Sequence, residues 1–268
     1  QVRPADRACG VAGAGSGRGP VVGSGVASRV DRGGRCCGCW GCPVTAGNSA
    51  ARQGAALRRQ ARYGTWWRCG LTVLGVTAHT RRADARAAVW DIGGGAEAVT
   101  ASMLATLAQQ GWHILNDRAL PGWGRANLDH VLVSPCGTAV VVLDTKRWHA
   151  QWETALIRGR VHCGTEDRHD EMEQVARYAA HVGQLLGMPT GAVWPLVVVH
   201  VSRIRGGHLR VLAEGRSGPV RWKGVVHVLG PEYLVPTLAA APKARDPRRA
   251  AALARRVAAT LPPYVQRR

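Results

Sequence analysis

Val140-Val141-Val142-Leu143 is a run of four branched apolar residues that ends abruptly in Asp144-Thr145-Lys146. A strand that is apolar on both alternating faces must be covered above and below, which places it at the centre of an α/β sheet rather than at an edge. Its last residues put a carboxylate and an amine two positions apart, on one side of the strand, because the side-chain period is two. Lysine is scarce in this chain: of 36 basic residues only Lys146, Lys223 and Lys243 are lysines. Lys carries a compact ammonium whose proton can be moved, which suits it to active sites better than Arg. A carboxylate and a Lys side by side can hold a divalent metal and an attacking water.

Around this strand the pattern reads helix, three strands, helix, strand. Gly93-Gly94-Gly95 precedes a helix over 96–110, with Val99, Met103, Leu104 and Leu107 at helical spacing and Gly111 as its stop. Trp112–Leu120 reads as a strand, Pro121-Gly122-Trp123-Gly124 as a turn, and Asn127–Ser134 as a second strand. Pro135-Cys136-Gly137 turns the chain into Thr138–Trp148, and residues 151–162 read as edge structure. Asp170–Leu186 is expected to be helical, with Met172, Val175, Ala176, Ala179, Val182 and Leu186 on one face and Gly187 closing it. Val193–Val201 and Val220–Leu229 read as strands, and Pro247–Thr260 as an Ala/Arg-rich helix. The order predicts an α/β fold with a mixed central sheet. The spacing of the glycine triplet is wrong for a dinucleotide fingerprint, and no strand precedes it.

Charge divides the chain. Residues 1–90 carry 14 arginines against three acids, residues 231–268 carry eight basic groups against two acids, and the centre is close to neutral. Basic flanks suit a polyanion, nucleic acid first among them, and GC-biased codon usage is the bland alternative. Residues 1–55 are rich in Gly, Ala, Ser and Arg without sustained period, so a disordered arm is expected, followed by a basic lead-in over 56–90. The first Met is Met103, and one reading of the arm is translated upstream sequence. The folded domain is expected over 91–230 and a basic helical tail over 231–268. No apolar stretch reaches the length of a membrane span and no signal-peptide core is present, so the reading is no membrane partner and a cytoplasmic location. Cys36, Cys37, Cys39 and Cys42 contain two C-x-x-C spacings, but the next Cys and His, Cys69 and His79, fit a zinc site poorly.

Four side chains fall where this order brings them together. Asp129 lies inside the second strand, where an acid is costly to bury without a partner, and a metal ion is one such partner. Asp144 and Lys146 end the neighbouring strand, and Glu97 begins the preceding helix. Carboxylates with open positions favour Mg²⁺ or Mn²⁺ over zinc. Each residue also has a plainer role: Glu97 as complement to the helix dipole, Asp129 paired with Arg125, Asp144 and Lys146 as solvated residues at a strand exit.

Residues 93–187 resemble the NERD (nuclease-related) domain, a branch of the PD-(D/E)XK nuclease superfamily. The resemblance is carried by Gly95-Ala96-Glu97, Leu120-Pro121, Ala126-Asn127-Leu128-Asp129-His130, Gly137, Asp144-Thr145-Lys146-Arg147-Trp148 and Gln174. It implies a restriction-endonuclease-like αβββαβ core, a mixed central sheet flanked by helices, over the 91–230 domain. It further implies Mg²⁺-dependent hydrolysis of phosphodiester bonds, with Mn²⁺ as a substitute ion and DNA as the expected nucleic-acid partner. Asp129 and Asp144 would ligate the metal, with the backbone carbonyl of Thr145 as a further ligand and Glu97 completing or ordering its shell. Lys146 would position or deprotonate the attacking water, and Gln174 would orient that lysine or water. The family usually carries Glu where this chain has Asp144. Related nucleases often pair to cut two strands, which makes a homodimer one expected arrangement. His130 should face the other side of the sheet in a structural role, while Trp148 and Trp152 serve either packing or base stacking. The competing readings are a nucleic-acid-binding module that keeps the fold without activity and, more remotely, a zinc-organised interaction protein.

Overall fold

The computed structural model describes residues 48–63, 94–124, 126–217, 220–240 and 244–265. The expected arm up to residue 47, most of the lead-in, the Cys36–Cys42 cluster and Arg125 lie outside the described residues. Helix α1 (Asn48–Tyr63) runs across the boundary expected between arm and lead-in at 55/56. Then come α2 (94–108), β1 (His113–Ala119), β2 (Asn127–Val133), β3 (Val140–Arg147), β4 (Glu153–Ile157), β5 (Arg160–Cys163) and β6 (Glu166–Asp167). They are followed by α3 (His169–Leu185), β7 (Val193–His200), β8 (Arg203–Ile204), β9 (His208–Ser217), β10 (Val220–Leu229), α4 (Pro231–Ala239) and α5 (Pro247–Thr260). Among the described residues no helix is long and apolar enough to cross a membrane.

The apolar run of β3 sits where its composition requires. The main sheet has the order β1-β2-β3-β7-β10-β9, with β3 antiparallel to β2 and parallel to β7. Parallel neighbours need a crossover, and α3 with strands β4, β5 and β6 lies between β3 and β7 in the chain, while β8, which completes their small sheet, follows β7. Alternation then sends successive side chains to opposite layers. Val140 and Val142 pack with Ala179, Val182 and Leu186 at the end of α3 and with Ala254 and Val257 of α5. Val141 and Leu143 pack with Leu104 and Leu107 of α2 and with Leu234 and Leu238 of α4. A third cluster joins Met172, Val175 and Ala176 of α3 to Val197 and Val199 of β7, Val211 and Ala213 of β9, and Val226 and Val228 of β10.

Two parts differ from the sequence reading. Strand β9 is absent from it, because Leu212 faces outward at 55% exposure and breaks the apolar alternation that Val211 and Ala213 would otherwise display. Within the segment from 231, expected as a basic helical tail, helices α4 and α5 pack against the sheet. Asp246 caps α5 through the Arg249 N–H at 2.9 Å, and its own N–H donates to the Pro135 carbonyl in the β2–β3 turn. At the far end Arg118 of β1 donates to the carbonyls of Leu261 and Ala258, and the Ala119 N–H donates to that of Pro262. Residues 258–264 thus run along the edge of β1.

Candidate active site

The β2–β3 ladder ends early, and that ending builds the site. Pairing runs from Val133 opposite Val140 to His130 opposite Leu143, while β3 continues beside β7 as far as Arg147 opposite His200. Just beyond the last β2–β3 pair, the Thr145 N–H donates to Asp129 Oδ2 at 2.8 Å. A carboxylate therefore replaces the ladder where the two strands part, and it lies beside the exit of β3. Asp144 and Lys146 share the face of β3 that looks toward α3. Lys146 Nζ lies 2.8 Å from Asp144 Oδ2 and 3.8 Å from Glu171 Oε2 in the first turn of α3. Glu171 also accepts from Arg168 Nη1 at 3.1 Å.

The electrostatics follow from this crowding. Burial first, then the carboxylates of Asp144 and Glu97, push Asp129 well above the usual carboxylate range, while Lys146 and the Thr145 N–H pull the other way. Burial works against the charge on Lys146, but Asp144 and Asp129 outweigh it and raise its pKa, so it is an ammonium at neutral pH. Asp144 Oδ2 is buried, and the Lys146 ammonium 2.8 Å away is its partner.

A second polar layer lies on the opposite face of the sheet. Thr145 Oγ1 donates to Thr100 Oγ1 of α2 at 3.2 Å, and Thr100 Oγ1 lies 2.7 Å from His200 Nε2 at the end of β7. His130 is wholly buried, with Nδ1 2.8 Å from Asn116 Oδ1. Burial and then His200 push its pKa down to about 3, so it is a neutral, structural imidazole turned away from the carboxylates. Trp148 is buried beneath Arg168, and Trp152 stacks on His149 at 4.6 Å, so both rings are engaged within the protein.

The structure therefore brings Asp129, Asp144, Lys146 and Thr145 together, with Glu97 within Coulombic reach of Asp129. Gln174 is not brought onto Lys146. It is exposed, and its Nε2 donates to the Tyr178 hydroxyl one turn on, at 2.7 Å. Glu171, one turn earlier on α3, meets the lysine instead. Its signal in the sequence is an acid in the first turn, three residues before Gln174. Thr100 and His200 carry no such signal, since only the packing of α2 against β3 and β7 makes them neighbours.

The donor set is all oxygen: two carboxylates and a backbone carbonyl, which suits a hard divalent cation. The crowding of Asp129 by Asp144 and Glu97, which holds its pKa well above the usual carboxylate range, is what such an ion would relieve. Among the described residues no three acidic, His or Cys side chains converge to hold a metal, and Glu97 reaches Asp129 at Coulombic range. It acts on Asp129 through charge.

Residues 92–200 match the family model for the nuclease-related domain, NERD. No curated protein and no solved structure matches the chain.

Proposed function

With residues 92–200 matching the nuclease-related domain family, we propose that this chain is a divalent-cation-dependent nuclease that hydrolyses phosphodiester bonds of DNA. The observation that carries the reading is the parting of β2 and β3 around Asp129, Asp144 and Lys146. The element order α2-β1-β2-β3, followed after the inserted strands β4, β5 and β6 by α3 and β7, supports a restriction-endonuclease-like core with these residues at its working end. Asp129 and Asp144, with the Thr145 carbonyl, would hold Mg²⁺, and Mn²⁺ suits the same donors. The ion would supply Lewis acidity and a lowered pKa for a bound water.

The chain's own groups divide the remaining work. Lys146, kept as an ammonium, is suited to donate to the water or phosphate oxygen and to steady the negative charge that grows there. It is poorly suited to take the water's proton while its carboxylate neighbours hold its pKa high. Glu97 adds negative charge at the α2 side, favouring cation entry. Glu171 competes for Lys146 and restrains it when nucleic acid is absent. The cationic ends of the chain would supply sequence-independent attraction to the phosphate backbone. Two copies acting together would cut both strands, and the reading places the protein with nucleic acid in the cytoplasm.

A nucleic-acid-binding module without activity is the second reading. It draws on the Lys146–Asp144 ion pair, in which the catalytic set is satisfied by itself, and on Asp144 standing one methylene shorter than Glu. Incubation of the full chain with plasmid and with linear and single-stranded DNA, in Mg²⁺, Mn²⁺ or EDTA, separates the two. Cleavage that needs the metal and falls about 10²–10³-fold in Lys146→Ala supports the nuclease. Salt-sensitive binding with no metal-dependent product in any arm supports the module.

A further inference from the structure

We infer that Thr100 and His200 are positioning residues of this centre, holding the β3 exit in register through the hydroxyl of Thr145. The inference rests on the nuclease reading above. Thr145 is the pivot between two layers. Its backbone N–H holds Asp129 at 2.8 Å on the cleft side, while its side chain points through the sheet to Thr100 at 3.2 Å. Thr100 is wholly buried and lies three residues after Glu97 on α2, close to one helical turn on and on the same face. One hydroxyl chain therefore joins the helix that carries Glu97 to the strand that carries Asp144 and Lys146.

The far end of the chain is fixed as well. A hydroxyl has a single proton, so Thr100, accepting a hydrogen bond from the Thr145 hydroxyl, is free to donate its own to His200 Nε2 at 2.7 Å. His200 is 8% exposed, and burial followed by the charge of Arg147 lowers its pKa, leaving a neutral ring able to accept. Immediately after it, Val201 adopts φ 77°, and the Ser202 N–H returns to the His200 carbonyl at 3.0 Å. A β-branched residue in the left-handed region is strained and persists only where its surroundings impose it. Here Ser202 is 5% exposed and its hydroxyl donates to the Trp152 carbonyl at 2.7 Å, which anchors the turn from the other side. The two bonds made by the Thr100 hydroxyl clamp α2, β3 and β7 together behind the carboxylates.

A merely structural hydrogen bond would affect stability alone; a positioning bond also affects the metal and the chemical step. Thr100→Val keeps shape and burial while removing the hydroxyl, Thr100→Ser restores it, and Thr145→Val breaks the same chain from β3. The measurements are calorimetric Mn²⁺ affinity without nucleic acid, kcat and KM on plasmid, and thermal stability. Thr100→Val is expected to weaken Mn²⁺ binding and lower kcat by about tenfold each, with KM unchanged and Ser returning both toward wild type. If Thr100→Val does not fold, Thr145→Val gives the same reading. Wild-type Mn²⁺ affinity and kcat in the Val variants, or loss of stability alone, overturns the inference while the nuclease reading stands. A wild type that neither binds Mn²⁺ nor cleaves overturns both.

Discussion

Burial and neighbouring carboxylates act together on Asp129, and the stability consequence has a definite sign. Its folded pKa lies above the usual carboxylate range because of burial and then Asp144 and Glu97. A group with a raised folded pKa binds more protons in the native state, so its ionisation costs stability as pH rises from about 3.9 through the folded value. That cost grows through this window and is absent in acid. Asp129→Asn, which keeps an acceptor for the Thr145 N–H, should therefore raise the urea midpoint of the metal-free protein at pH 7. It should leave the midpoint near wild type at pH 3, and it should abolish the stabilisation that Mg²⁺ gives the wild type. A lower midpoint at pH 7 would show that Asp129 is a net stabilising group and would remove the argument for a cation there. At this scale Asp129, Asp144 and Lys146 were legible because acids and a lysine stand out against apolar strands. Glu171 was not, since which acid of a helix meets a strand depends on the helix's rotation and tilt.

Among the elements, the β2–β3 turn has a steric requirement set by backbone rather than by a side chain. Gly137 has φ 65°, and a Cβ there would lie 2.5 Å from the backbone of Arg249 and Ala250 at the start of α5. Backbone cannot yield as a side chain tip can. Gly137→Ala combines left-handed strain with overpacking and should cost about 2–4 kcal/mol, read as a fall in the urea midpoint with an unchanged slope. An unchanged midpoint would mean that the turn and α5 do not meet. The tight turn was readable from Pro135-Cys136-Gly137, but its need for glycine in particular comes from a helix more than 100 residues later. Both boundary glycines behave as expected: Gly111 and Gly187, with φ of 90° and 52°, end α2 and α3. Strand β9 escaped because its outward face is partly apolar, so a period of two was hidden.

For the molecule as a whole, the decisive question is where the domain stops. Ala250, Ala254, Val257 and Leu261 are buried, and the segment's backbone satisfies Arg118, Ala119 and the Asp117 carbonyl on β1. Removing residues 244–268 exposes that core and the β1 edge together. The lost burial and edge contacts amount to about 5 kcal/mol, the scale of a domain's whole stability. The truncated chain should lose its cooperative thermal transition, and an intact transition would identify the segment as dispensable. The basic charge of this segment hid its role. Ala and Val on one helical face carry the packing while Arg on the other dominates the composition.

Read alone, the sequence determined the local events: where strands and helices begin, which strand is central, and which polar side chains are too costly to sit on strands without a purpose. Those follow from period, capping and burial cost, all of which act over a few residues. Tertiary structure alone decided that β2 and β3 part at Asp129, that Glu171 rather than Gln174 reaches Lys146, and that Thr100 and His200 stand behind Thr145. These are distances between segments up to 100 residues apart, set by sheet order and helix packing, and no local pattern encodes them.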